Sequence, residues 1–181
     1  PMIPIDESEP VTVQFESNGG SPVSPVQLES GDLVNQPSQP SRQFYSFTGW
    51  FADAEFTQTW DFATQMVESD TVLYARWEEV GFITEWNMRL TTTNTLTLPL
   101  HAGGTYDFTI DWGDGTVESY NTHEVSHTYV VEDTYRVVID GTCRGFGFPY
   151  GVSTVHPNRY NLVNVARWGD VRFHNEGFQF Y

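Results

Sequence analysis

Lysine is absent from this sequence. All 8 basic residues are arginines, set against 24 aspartates and glutamates, for a formal net charge of −16. Without a lysine amine, the Lys–Asn or Lys–Asp side-chain crosslink of some surface domains cannot form. So acidic a chain repels nucleic-acid phosphates and anionic lipid, which excludes both as partners. It stays soluble and unassociated at low salt, as a monomer, and suits a salty or calcium-containing exterior. Cys143 is the single cysteine, so neither an internal disulfide nor a cysteine zinc cluster is available. No apolar run reaches the ~18 residues of a membrane span, and no signal peptide opens the chain. Residues 1–10 are acidic, proline-bearing and unpatterned, and read as a linker cut from a longer protein.

What remains is a β-rich pattern of turns and aromatics. Val11, Val13 and Phe15 alternate with Thr12, Gln14 and Glu16, the period-two signature of a half-buried strand. Asn18-Gly19-Gly20 follows as a turn, because Asn and Gly tolerate positive φ. Residues 21–42, rich in Pro, Ser and Gln, read as loop with a short strand near Val26–Leu28. An aromatic block runs from Phe44 to Phe51. Asp53-Ala54-Glu55 opens either a turn or a short helix toward Phe62. Residues 71–77 form a second clear strand, and residues 79–82 read as a linker.

The second half is more regular. Leu96, Leu98 and Leu100 alternate with polar residues, and Pro99 demotes that strand to an edge. Tyr106, Phe108, Ile110 and Trp112 alternate with Asp107, Thr109 and Asp111. Asp114-Gly115 supplies a hairpin turn, and Val117–Tyr120 returns as its partner. His127–Val131 and Tyr135–Ile139 give two more strands, a spacing that points to a β-sandwich. Beyond residue 143, Gly145, Gly147, Pro149, Gly151 and Pro157 break regular structure, so residues 144–181 read as a short irregular C-terminal segment. Its apolar end suggests truncation within a larger unit.

Three resemblances attach to these patterns. Residues 11–77 resemble the Listeria–Bacteroides repeat, or internalin B-repeat. The match is carried by Val11–Phe15, Asn18-Gly19-Gly20, Gly31, Pro37, Pro40, Phe47-Thr48-Gly49-Trp50-Phe51, Trp60-Asp61-Phe62 and Thr71–Trp77; Ser46 is a departure. The resemblance implies a small β-grasp-like fold over residues 11–78, used as a stalk or contact module in large bacterial surface proteins. Residues 83–140 resemble a PKD-like domain through Thr109-Ile110-Asp111-Trp112-Gly113-Asp114-Gly115-Thr116, His127-Thr128-Tyr129 and Tyr135–Ile139. This implies an extracellular β-sandwich over residues 83–143, although the segment is shorter than usual for that family. Residues 161–181 are similar to the entry into a BspA-like leucine-rich repeat array, through Leu162-Val163-Asn164-Val165 and Trp168-Gly169-Asp170.

Candidate chemistry is sparse. Asp107, Asp111 and Asp114 invite calcium, but an EF-hand register fails, placing Ile110 and Trp112 at ligand positions and Asn121 at the closing Glu. Asp107 and Asp111 would also lie roughly 13 Å apart along a strand. The competing reading is that Asp111 and Asp114 accept turn amides. The five histidines, His101, His123, His127, His156 and His174, show no zinc spacing. His127 reads as a packed residue bonded to the Trp112–Asp114 turn. No nucleophile motif surrounds Cys143, and no phosphate-binding loop or dinucleotide fingerprint occurs. The expectation is therefore a mainly β, non-catalytic stalk or adhesion segment of a secreted or cell-surface bacterial protein. It would need no cofactor or metal and would meet a host or environmental protein or glycan. Trp50, Trp60, Trp86 and Trp168 are the candidate ligand-contact aromatics. The alternative is a set of ancillary carbohydrate-binding modules of a secreted polysaccharide-degrading enzyme, which an exposed planar row of tryptophans would favour.

Overall fold

The computed structural model describes residues 9–90, 93–148 and 156–173. The chain divides into two compact units, Pro1–Glu79 and Val80–Tyr181. It is mainly β: among the described residues there is one 3-10 turn, Met88–Leu90, and no α-helix. No helix among them is long and apolar enough to cross a membrane.

The first unit has six strands, β1 (Val11–Glu16), β2 (Val26–Leu28), β3 (Asp32–Leu33), β4 (Tyr45–Phe51), β5 (Met66–Val67) and β6 (Thr71–Glu79). Alternation in β1 buries Val11, Val13 and Phe15, as expected from a period of two. Those side chains meet Leu73 and Ala75 of β6, Trp50 of β4, Val67 of β5, and Val34. The sheet runs β2-β1-β6-β4. Its central pair, β1 and β6, is parallel, with Val13 opposite Thr71 and Phe15 opposite Leu73. A parallel pair cannot be joined by a hairpin, so everything between residues 16 and 71 is the crossover. Asp53, where a helix was one option, caps a turn instead: its carboxylate accepts the backbone N–H groups of Thr57 and Gln58.

The Asn-Gly-Gly turn has two separate physical causes. Asn18 and Gly19 adopt φ of 47° and 85°, the left-handed region open to such residues. Gly20 is needed for space, since a Cβ there would sit 2.3 Å from the Trp77 ring. Asn18 Nδ2 donates to Ala75 O and Trp77 Nε1 donates to Ser17 O, tying the turn to β6.

The second unit contains β7 (Phe82–Asn87), β8 (Thr95–Thr97), β9 (Leu100–Asp111), β10 (Val117–Tyr120), β11 (Ser126–Thr128), β12 (Thr134–Phe146), β13 (Leu162–Arg167) and β14 (Arg172–Phe173). The large sheet runs β10-β9-β12-β7-β13, with β14 parallel to β12, and β8 pairs separately with β11. Leu96, Leu98, Val125 and Tyr129 lie in one core with Trp86, Phe108, Ile110, Trp112, Val137 and Ile139 of the large sheet. The β9–β10 hairpin has the expected register, Val117 opposite Asp111. The leucine-bearing strand ends early: Pro99 separates β8 from β9, and its carbonyl accepts Gly147 N–H. The strand placed at His127–Val131 is shorter, Ser126–Thr128, and Val130 is 96 % exposed.

Two expectations differ from what is seen. The short linker expected at residues 79–82 holds the boundary between the two units, Glu79/Val80, but is reduced to residues 80–81, because β6 continues to Glu79 and β7 begins at Phe82. Strand β7 escaped notice because it pairs with β12 on one side and β13 on the other. Phe82, Ile83, Thr84 and Trp86 are all buried, so no alternation shows. The segment from residue 144 is also less irregular than expected. β12 runs on to Phe146, and β13 joins the large sheet antiparallel to β7. Leu162-Val163-Asn164-Val165 thus form a sheet strand rather than a parallel, leucine-rich stack. The remainder of that expectation, residues 149–155 and 174–181, lies outside the described residues.

Candidate functional site

The four candidate aromatics do not form one surface. Trp50 is 2 % exposed and Trp86 0 % exposed, so neither can offer a ring face to a ligand. Both were drawn into cores because a large ring gains most from burial. Trp86 also satisfies its N–H internally, donating to Thr84 Oγ1 at 2.8 Å. Trp168 is 48 % exposed and stacks on Phe82, with ring centroids 5.9 Å apart. Trp60 is partly buried against the first core. With Trp112 fully buried as well, neither unit presents a planar row of tryptophans among the described residues.

Trp60 nevertheless belongs to a recognisable site. It lines an open cleft of about 450 Å³ in the first unit, with Phe47, Trp50, Phe62, Gln36 and Asp61. The cleft exists because the chain leaves β4 at Phe51, turns over Asp53, and returns so that Trp60 N–H donates to Trp50 O at 2.8 Å. The rings pack edge to face: Phe47 on Trp50 at 5.5 Å and Trp60 on Phe62 at 6.5 Å. Asp61 anchors the next turn by accepting Ala63 N–H and Thr64 Oγ1–H. The Thr64 hydroxyl, then the Ala63 amide, hold its carboxyl below the usual range, so the cleft edge keeps a negative charge.

The indole nitrogens of Trp50 and Trp60 are buried and lack a hydrogen-bond partner among the described residues. A buried donor without an acceptor costs about 1–3 kcal/mol. Both residues line the same cleft. Sequence reasoning named both tryptophans but missed Phe47 and Phe62; the dense aromatics between Phe44 and Phe62 were the available signal.

The aspartate motif of the second unit is occupied by its own fold. Asp111 accepts Gly113 N–H at 2.8 Å and Asp114 accepts Thr116 N–H at 3.0 Å. Asp114 also bonds His127 Nε2 at 2.7 Å, and the His127 ring stacks on Trp112 at 4.9 Å. Desolvation raises the Asp114 pKa, but the His127 and Thr116 hydrogen bonds outweigh it and the net shift is downward. Trp112 Nε1 donates to Glu118 Oε2, which also accepts Tyr120 O–H, and Tyr129 O–H donates to Trp112 O. His127 thus has the packed, turn-bonded position expected of it. Cys143 is fully buried, and desolvation pushes its thiol up to about 12, which keeps it protonated and a poor nucleophile. Among the described residues no group of three or more His, Cys, Asp or Glu is placed to hold a metal.

Comparison with known proteins bears on the first unit. A protein named "Putative membrane protein" from Evansella cellulosilytica is 49 % identical over 67 residues, covering 37 % of this chain and 10 % of that protein. Internalin H of Listeria monocytogenes is 33 % identical over 70 residues, covering 38 % of this chain and 12 % of its own length. The chain spans about a tenth of the length of the curated relatives it matches. The family described as the Listeria-Bacteroides repeat domain matches residues 12–76.

Proposed function

We propose that this chain is a non-catalytic stalk and adhesion segment of an extracellular bacterial surface protein, contributing a recognition surface for a protein or glycan. The observation that carries the reading is the repeat domain at residues 12–76, together with its similarity to part of Internalin H. The geometry supports it in two ways. The first unit packs its own small core, as a spacer module must. Its aromatic cleft is lined by two tryptophans whose indole donors lack acceptors among the described residues, with an ionised carboxylate at the edge. The second unit, in this reading a PKD-like spacer, uses the polar groups of its aspartate–tryptophan motif to hold its own turn. Cleft, spacer and strongly acidic surface fit a module that presents a contact face.

The experiment is a binding screen of the intact chain against arrays of extracellular-matrix proteins and glycans, with Trp60→Ala as the matched variant. The reading expects a ligand whose signal falls at least about tenfold in Trp60→Ala, the loss of roughly one well-packed aromatic contact, while melting of the second unit is unchanged. Retention of every hit by Trp60→Ala would overturn the cleft as the recognition surface. Catalytic turnover of an array glycan would overturn the non-catalytic reading.

A further inference from the structure

We propose that the second unit carries a separate binding groove for a short acidic saccharide, with a uronic acid carboxylate held between Arg144 and Arg172. This goes beyond the reading above, because it needs neither the aromatic cleft of the first unit nor a surface location.

The groove has a volume of about 680 Å³, within the range of small-ligand sites. Its polar wall includes Arg144, Arg167, Arg172, Asp140, Asp170 and Thr142. Three of the 8 arginines thus converge on one place in a chain of net charge −16. Arg144 and Arg172 are register partners on the parallel strands β12 and β14. The two strands lie about 5 Å apart there, and the ladder shifts register just beyond, between Arg144 and Phe146. Two like charges so placed repel, and a fold gains nothing from the pair. Among the described residues the ion pairs are Arg89–Asp133 and His127–Asp114, so neither Arg144 nor Arg172 is in direct contact with a described carboxylate, although Asp140 and Asp170 line the same groove. A ligand oxyanion seated between them would remove the repulsion and accept charge-assisted hydrogen bonds from two planar guanidinium groups.

Gly81, Gly141 and Gly169 also line the groove, with φ of 97°, 114° and 52°. A Cβ on any of them would lie 2.5–2.6 Å from backbone atoms of Ile139, Asp107 or Gly81 respectively, so each glycine is required by the close packing of the chain on itself.

Charge and shape select the ligand class. Asp140, Asp170 and Thr142 place acceptors beside the arginines, which suits hydroxyl groups around a single acid group. Phe82 lines the groove, and Trp168, 48 % exposed, stacks on it. The net charge disfavours a polyanion, so a short saccharide with one carboxylate fits better than a long acidic chain.

The test is an amide NMR titration of the intact chain with a glucuronic acid–glucose disaccharide. The same titration is repeated with its methyl ester and with a Gly-Glu-Gly peptide blocked at both ends. The proposal expects saturable shifts at the Gly81, Gly141 and Gly169 amides with the disaccharide. It expects affinity about tenfold weaker for Arg144→Gln and for Arg172→Gln, the loss of a charge-assisted pair, and no change for Arg89→Gln. Without ligand, Arg172→Gln should melt about 1–5 °C higher because the like-charge pair is gone; this also shows that the variant folds. Equal binding of the methyl ester, or affinity unchanged in both arginine variants, would overturn the carboxylate site. Equal or tighter binding of the peptide would overturn the saccharide assignment.

Discussion

The two units treat their aromatic polar groups in opposite ways. Among the described residues of the second unit, every large buried ring that carries a polar atom spends it inside the fold: Trp86 on Thr84, Trp112 on Glu118, Tyr129 on the Trp112 carbonyl, and Tyr106 on the His101 and Gly145 carbonyls. In the first unit Trp77 is satisfied by Ser17 O, but the indole nitrogens of Trp50 and Trp60 are not satisfied among the described residues. The cores differ too. Among the described residues the core cluster that contains Trp112 has sixteen buried residues and the one that contains Trp50 has eight, so the smaller unit has less burial to offset unsatisfied donors. An aromatic motif therefore does not reveal its role by residue type alone. The destination of its N–H or O–H separates a structural ring from one that can meet a ligand.

The largest effect that sharpens this contrast is Trp112→Ala. The ring is fully buried, so a loss of about 3–5 kcal/mol is expected from the second unit. Urea unfolding checks it; a loss below about 1 kcal/mol would break the claim that this motif is structural. Gly20→Ala comes next, in the first unit. The added Cβ would collide with the Trp77 ring, and displacing that ring breaks its bond to Ser17 O, for a loss of about 1–3 kcal/mol. Trp60→Phe should be milder still, within about 1 kcal/mol, since no made hydrogen bond is lost. A larger loss would show that the Trp60 N–H is satisfied in solution.

The smallest effect is set by pH. Asp114 has a depressed pKa in the folded state. Its contribution is fully present above the unfolded value of about 3.9 and is lost as pH falls through the lower folded value. Melting temperatures of wild type and Asp114→Asn should therefore converge for the second unit as pH drops from 5 to 2. A constant gap across that range would assign the acid sensitivity elsewhere.

How much of this was legible in the sequence depends on locality. The hairpin at Asp114-Gly115, the inward series Tyr106 to Trp112, and the Asn18-Gly19 turn could all be read, because each is set by neighbours in the chain. The parallel β1–β6 pairing and the β7–β13 ladder join segments too far apart for any local pattern to show them. Glycines misled most. Gly145 read as a breaker, yet it lies inside β12 at positive φ, as does Gly141. A Cβ on Gly141 would meet Asp107 O at 2.6 Å, and one on Gly145 would meet the Tyr106 hydroxyl at 2.4 Å. Within a strand such glycines mark close approach rather than an end. At the candidate cleft, Trp60 could be named from its resemblance-bearing motif. That Trp50 would be wall rather than contact could not, because burial there depends on Phe15 of another strand, 5.0 Å away.

The central claim is that the two units hold separate cores with no shared residue. Scanning calorimetry of the intact chain, run beside Trp112→Ala, tests it most directly. Two transitions are expected, with the variant lowering one by at least about 10 °C, from 3–5 kcal/mol in a unit near 100 residues, and leaving the other in place. A single transition, displaced as a whole by Trp112→Ala, would contradict the account.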